Sequence, residues 1–404
     1  MHVLLAHEYY RNRGGEDSAF EARRDVLRAG GLRVTEYVRH AEEIENGGLA
    51  RKSTLPLRAM WAWDTKREFA QLLRDARPDV VHFSNTFPLI SPSAYFACRE
   101  AGVPVVQQLE NARLVCPQGS FVRDGKACFD CCGRFPWPGI LHRCYRQSSA
   151  QTAIVSGMIG VHRMLHTWNE KVDAYIFSAE FYRRWFVDIG LPQERIHCCP
   201  LIVPDPGART PSATGDYALY VGWLAPEWDI LTLLEVWKRL DIPLKIRASG
   251  VLEPEVRRAA AANPKIELVP RLSYQEKNNL IRGARFLIWP AIGELENCGV
   301  AAIEALGCGV PVLAPKTAVA GERIVDGRTG IFFAPNDPAD LARQVRWAWE
   351  HPEQMAEMGR NARQEYESRF SPDQFLKRLL PIYQTLIDGK QPVRARATGA
   401  CHNR

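Results

Sequence analysis

Glu296-Asn297-Cys298-Gly299-Val300-Ala301-Ala302-Ile303-Glu304 runs on into Ala305-Leu306-Gly307-Cys308-Gly309-Val310-Pro311-Val312. The segment reads as a loop that opens a helix, with carboxylates at its first and ninth positions. Gly299 lets the backbone approach a ligand, and the free N–H groups of a first helical turn favour an anion. Glu304 follows almost two turns on, where a carboxylate accepts hydrogen bonds from sugar hydroxyls. The helix is expected to stop at Gly307 and Gly309, with Pro311-Val312-Leu313-Ala314 entering a buried strand. A phosphate cradle beside a hydroxyl acceptor suits a nucleotide sugar.

The same rhythm extends in both directions. His2 to His7, Leu32 to Val38, Asp79 to Phe83, Val103 to Val106 and Ala174 to Phe177 are short apolar strands separated by helical stretches. Arg195 to Cys199 closes this half, and the Pro-bearing stretch 201–214 reads as a linker. The pattern restarts at Tyr217 to Gly222 and passes through Leu244 to Ile246, Ile266 to Val269, Phe286 to Trp289 and Val310 to Ala314. Alternating strands and helices imply α/β architecture: two doubly wound, Rossmann-like parallel-sheet domains facing across a cleft. Ligands of such sheets sit beyond the strands' C-terminal ends. The expected division is an N-terminal, acceptor-side domain over 1–205 with a Cys-rich insertion at 111–146, and a nucleotide-sugar domain over 206–371. A helix over 372–388 crosses back to the first domain, and a polar, basic tail over 389–404 is disordered.

Composition sets the class. The chain has 404 residues, 46% hydrophobic and 24% charged, with a formal net charge of +6. That is an ordinary globular balance, too long for one core. No basic run is interleaved with aromatics, so no nucleic-acid partner is expected. With neither an apolar leader nor a run of about 18 uncharged apolar residues, the expectation is a cytoplasmic protein. Leu55 to Trp63 mixes Trp, Met, Leu and Arg, which suits peripheral contact at the inner face of a membrane.

These features together resemble the large retaining glycosyltransferase family four, of GT-B fold. Tyr220-Val221-Gly222 and Leu224-Ala225-Pro226-Glu227 look like that family's first strand and phosphate loop, and Glu296 and Glu304 match its paired carboxylates. Asp326 to Gly330 matches the stretch that follows. Arg13-Gly14-Gly15-Glu16-Asp17, Asn85-Thr86-Phe87-Pro88 and Arg113 to Pro117 look like a bacterial branch that builds surface polysaccharides. The resemblance implies sugar transfer from a nucleotide diphosphate to a glycan or lipid-linked acceptor, with anomeric configuration kept and no catalytic metal. Glu304 would take the ribose hydroxyls and Glu296 those of the donor sugar, while amides of Cys298, Gly299 and Val300 meet the diphosphate. Gly14 and Gly15 would let the first domain's loop close over it.

Several positions depart from the family. Trp223 and Trp228 stand where an Arg and a Lys usually clamp the diphosphate. Glu110, which with Glu296 makes the candidate catalytic pair, occupies a strand-end position where relatives often have His, and Ser84 replaces another His. Lys245, Arg247, Lys316 and Arg323 are candidate substitute cations. Two readings follow: an active transferase, or an impaired GT-B protein that binds carbohydrate or nucleotide as partner of another transferase.

Cys116, Cys128, Cys131 and Cys144 are spaced Cys-x11-Cys-x2-Cys-x12-Cys, a pattern that fits a structural thiolate zinc site; ordinary loop thiols are the competing reading, with His142 and Cys132 as spare ligands. His7 and His82 end strands near the expected cleft, as substrate contacts or as structural histidines. Glu322 lies near a helix start, where capping competes with sugar binding.

Overall fold

The computed structural model describes the chain except residues 12–13, 47, 124–125, 211–214, 226–227, 292–298 and 391–404. In chain order, β1 (His2–Tyr9), β2 (Arg33–His40), β3 (Val80–Phe83) and β4 (Val105–Leu109) precede a short antiparallel hairpin, β5 (Val122–Arg123) and β6 (Lys126–Ala127). With β7 (Ala174–Phe177) and β8 (Ile196–Cys198) they form a six-stranded parallel sheet in the order β2-β1-β3-β4-β7-β8. The second sheet comprises β9 (Ala218–Trp223), β10 (Leu244–Ser249), β11 (Ile266–Leu268), β12 (Phe286–Ile288), β13 (Val312–Pro315) and β14 (Gly330–Phe333), in the order β11-β10-β9-β12-β13-β14.

Sequence explains the pattern. Every residue of β1 is buried, as expected of a central parallel strand covered by helices on both faces. The order reverses at β1 in the first sheet and at β9 in the second. Each reversal opens a crevice beyond the strand ends. The helix Val300–Cys308 ends at Gly309, whose φ of 73° needs the left-handed conformation glycine takes freely.

Several contacts join the halves, among them the Arg323 guanidinium donating to the Ser178 carbonyl at 2.8 Å. One apolar cluster runs from Leu4, Phe83 and Phe186 through to Leu219, Ile303, Ile324 and Tyr366. Glu322 accepts hydrogen bonds from the N–H groups of Glu180 at 2.8 Å and Phe181 at 2.6 Å. The final helix, Pro372–Lys390, sets Phe375, Leu379 and Tyr383 among Val3, Leu5, Phe20 and Ile176 of the first half. The remainder of the expected tail, 391–404, falls outside the described residues.

Candidate active site

The second half builds its site where β12 gives way to the helix Val300–Cys308. Gly299, its N-cap, has φ 55°, and a Cβ there would lie 3.0 Å from the Trp289 ring. Both backbone angle and space therefore require glycine. The first-turn N–H groups, beginning at Val300, have no acceptor within a helix and make an anion-binding end. Glu296 and Cys298 lie outside the described residues.

Glu304 is buried on that helix and meets Lys277 Nζ at 2.5 Å. Burial pushes its carboxyl up, opposed by Lys277 and by the charge of Arg247. Lys277 comes from the helix Tyr274–Arg282, which is fixed by a capping box between Ser273 and Glu276; its ammonium stands 4.9 Å from the Tyr274 ring centre. Arg247 sits on β10 and donates to the Leu272 carbonyl at 3.4 Å. Of the four cations named from sequence, only Arg247 acts on Glu304. Lys245 pairs with Glu267 at 3.4 Å and covers Tyr217. Arg323 is buried and donates to the Ser178 carbonyl at 2.8 Å. Lys316 is exposed beyond β13.

Trp223 ends β9 with 41% of its surface exposed, and its carbonyl accepts from Tyr220 Oη at 2.7 Å. Trp228 is half-buried against the apolar cluster.

In the first half, Gly14 caps the helix Gly15–Ala29 and donates to Asp17 Oδ2 at 3.0 Å. Added Cβ atoms at Gly14 or Gly15 would meet nothing within 4 Å. Arg23 of this helix resolves two departures at once. Its Nη2 pairs with Glu110 Oε1 at 2.9 Å and its Nη1 donates to Ser84 Oγ at 2.7 Å, all within the interior. Burial pushes the Glu110 carboxyl up while Arg23 pulls it down.

Glu110 and Ser84 line an open pocket of about 480 Å³ with Glu16, Asn85, Phe87 and Arg113. Tyr10 donates to Glu16 at 2.8 Å, and Asn111 donates to the other Glu16 oxygen at 3.0 Å. Two strand-end histidines have internal partners. His7 pairs with Asp17 at 2.8 Å and stacks on Phe20. His82 Nδ1 lies 2.5 Å from Tyr383 Oη, and burial holds its ring well below the ordinary histidine range. Glu322 caps the helix Glu180–Asp188 of the other half rather than its own.

Cys116, Cys128, Cys131, Cys132 and Cys144 converge on one pocket of about 330 Å³. Burial pushes the Cys131 and Cys132 thiols up to about 11. Among the described residues, no group of three or more His, Cys, Asp or Glu side chains is placed to hold a metal ion.

The second-half site coincides with a match to the family model described as glycosyl transferases group 1. The match covers residues 208–365. The chain is 28% identical to a D-rhamnosyltransferase of Pseudomonas aeruginosa over 158 residues, 38% of this chain and 42% of that protein. An O-antigen chain mannosyltransferase of Escherichia coli is 25% identical over 178 residues, 43% of this chain and 48% of that one. The chain thus spans half or less of the curated relatives it matches. Across both halves it is similar to Anabaena HepE, solved in complex with UDP, with a TM-score of 0.62, 13% identity, and coverage of 96% of this chain and 99% of that one. The fold is GT-B.

Proposed function

We propose that this chain transfers a sugar from a nucleotide diphosphate to a glycan or lipid-linked acceptor, with retention at the anomeric carbon. The observation that carries the proposal is Glu304, a buried carboxylate held by Lys277 on a helix that starts at Gly299. In this reading Glu304 receives the ribose hydroxyls, and the amides at Gly299 and Val300 receive the diphosphate, with Glu296 on the donor sugar. Lys277 and Arg247 supply positive charge near the nucleotide in place of the residues at Trp223 and Trp228. The departing phosphate takes the acceptor's proton, so catalysis rests on stabilising the developing charge. Glu110, held by Arg23, orients groups in the first-half pocket. The UDP of HepE, the rhamnosyl and mannosyl transfers named for the relatives and the O-antigen chain named for one of them support this reading.

Thermal unfolding with UDP, GDP and ADP tests it. A nucleotide at 100 times its dissociation constant adds about 2.7 kcal/mol to the folded state. One stabilising nucleotide names the donor's base, and retention is then read from the anomeric coupling of the product. No shift with any of them, from folded protein, removes the proposal.

The zinc reading stays with it as a proposal about the insertion, resting on the sequence spacing of Cys116, Cys128, Cys131 and Cys144 and not on a ligand geometry among the described residues. Elemental analysis of the purified chain decides it: about one zinc per chain supports it, and metal-free protein with alkylatable thiols ends it.

A further inference from the structure

Six large apolar side chains stand in solvent on helical segments of the first half that pack on one another. They are Leu57 at 71% exposed, Trp63 at 67%, Trp137 at 50%, Leu141 at 66%, Met164 at 81% and Leu165 at 42%. Three contacts bind their supports into one surface. Met60, at the end of the helix Gly48–Met60, lies against Gly157 of the helix Ser149–Met164. Phe135 lies against Gly160 of that same helix. His162 Nε2 reaches the Met60 carbonyl at 2.8 Å. Such a concentration of exposed Trp, Leu and Met marks a surface that is covered in use.

Charge says by what. Residues 131–169 contain four Arg and three His and no Asp or Glu. Arg134, Arg143 and Arg146 are exposed; none lies within ion-pair distance of a carboxylate among the described residues, and the nearby Asp130, on which Arg134 acts, is paired with Arg123. Arg58 is neutralised by Asp64 at 2.5 Å and is not counted. The surface is therefore apolar and basic together, the combination that suits an anionic lipid interface.

Its inner side is the first-half pocket. Met158, on the helix that ends in the exposed Met164, lines that pocket with Phe87 and Arg113. Tyr145, between the exposed Arg143 and Arg146, lies 6.0 Å from the Phe87 ring, and the Arg113 guanidinium sits 5.4 Å from the Tyr145 ring centre.

We infer that this face docks on an anionic lipid bilayer, with Trp63, Trp137, Leu141 and Met164 entering the interface and the arginines meeting head groups, so that a lipid-borne acceptor arrives beside Phe87 and Arg113. The acceptor's arrival rests on the transferase reading; the docking does not. Sedimentation of the full chain with vesicles, without any nucleotide, separates the two.

Vesicles of phosphatidylcholine with 30% phosphatidylglycerol, by order of magnitude the anionic content of a charged leaflet, are compared with pure phosphatidylcholine. Binding is expected to the anionic vesicles, weakened by 0.5 M salt, a strength that roughly halves the screening length. The triple change Arg134→Glu, Arg143→Glu, Arg146→Glu is expected to lower affinity tenfold or more, at about fivefold per basic side chain. The apolar set Trp63→Ser, Trp137→Ser, Leu141→Ser, Met164→Ser is expected to abolish binding with its circular dichroism unchanged, since all four are exposed. Should that set fail to fold, Trp63→Ser with Met164→Ser replaces it and is expected to weaken binding severalfold.

Three results overturn the inference. One is folded wild-type chain that leaves anionic vesicles bare. Another is equal capture by heparin, with the apolar set binding as before, which would make the face a site for a soluble polyanion. The third is a dimer in sedimentation velocity that the apolar set dissolves, without vesicle binding, which would make the partner a second copy.

Discussion

Lys277 sets the charge environment of Glu304. Removing one member of a buried ion pair leaves the other without compensation, at about 3–5 kcal/mol, so Lys277→Met is expected to lower stability by about 3 kcal/mol at pH 8. Burial displaces the Glu304 carboxyl upward, so as pH falls it takes up its proton in the folded chain before it does so in the unfolded one. The loss should therefore shrink as pH falls and Glu304 becomes neutral. Urea midpoints at pH 5 and pH 8 check this, and a pH-independent loss would count against it.

Glu8 gives a second titration. It is buried, accepts from the Leu89 N–H at 2.6 Å, and burial raises it from 4.5 to about 8. Between those values the folded chain binds the extra proton, so Glu8 makes stability fall as pH rises from 4.5 to about 8. Glu8→Gln keeps the acceptor for Leu89 and should flatten that slope in a series of unfolding midpoints.

Gly299 and Glu304 were legible from local spacing, because helix and loop chemistry is local. Lys277 and Arg23 were not, because their partners lie 27 and 87 residues away and only the fold brings them together. One signal for Arg23 was available: it interrupts the apolar stripe of Ala19, Phe20, Val26 and Leu27, and a charge in such a stripe requires a partner.

Among the elements, the helix Glu180–Asp188 shows most clearly how one half depends on the other. Its own N-cap, Ala179, supplies no side-chain bond, and Glu322 provides the acceptor instead. A carboxylate there also suits the helix dipole. Glu322→Ala should cost about 0.5–2 kcal/mol, the range for a lost cap, and should raise amide exchange at Glu180 and Phe181 before it raises exchange in β7. Uniform acceleration across both sheets would contradict that order.

Apart from β14, the strands of both sheets were readable because each is a short apolar run between turn residues. The helix Gly48–Met60 was not, since Pro56 lies inside it and proline ordinarily ends a helical pattern. β14 carries the same signature in Ile331, Phe332 and Phe333 but is short and opens on Gly330, where a Cβ would sit 2.0 Å from the Val312 carbonyl, so it reads as the end of the preceding turn.

For the molecule as a whole, the paired Rossmann-like architecture followed from periodicity, whereas the seam between halves did not. It rests on Glu322, Arg323 and an apolar cluster whose members come from both ends of the chain. His82 and Tyr383 tie the last helix to β3 across 301 residues. Tyr383→Phe leaves the His82 ring without its hydroxyl partner, at about 1–3 kcal/mol. Thermal unfolding should show the loss with nucleotide response retained; a lost response with unchanged stability would place the hydroxyl in the site instead.

That last helix also imposes a timetable on biosynthesis. The β8 strand leaves the ribosome after residue 198, yet Phe375, Leu379 and Tyr383, which seal the same core, are not made until nearly 180 residues later. At about 5–20 residues per second, the nascent first half waits on the order of 10–40 s with part of its interior uncovered. Its order of synthesis is not its order of completion, and a chaperone would meet this chain at its beginning rather than at its end.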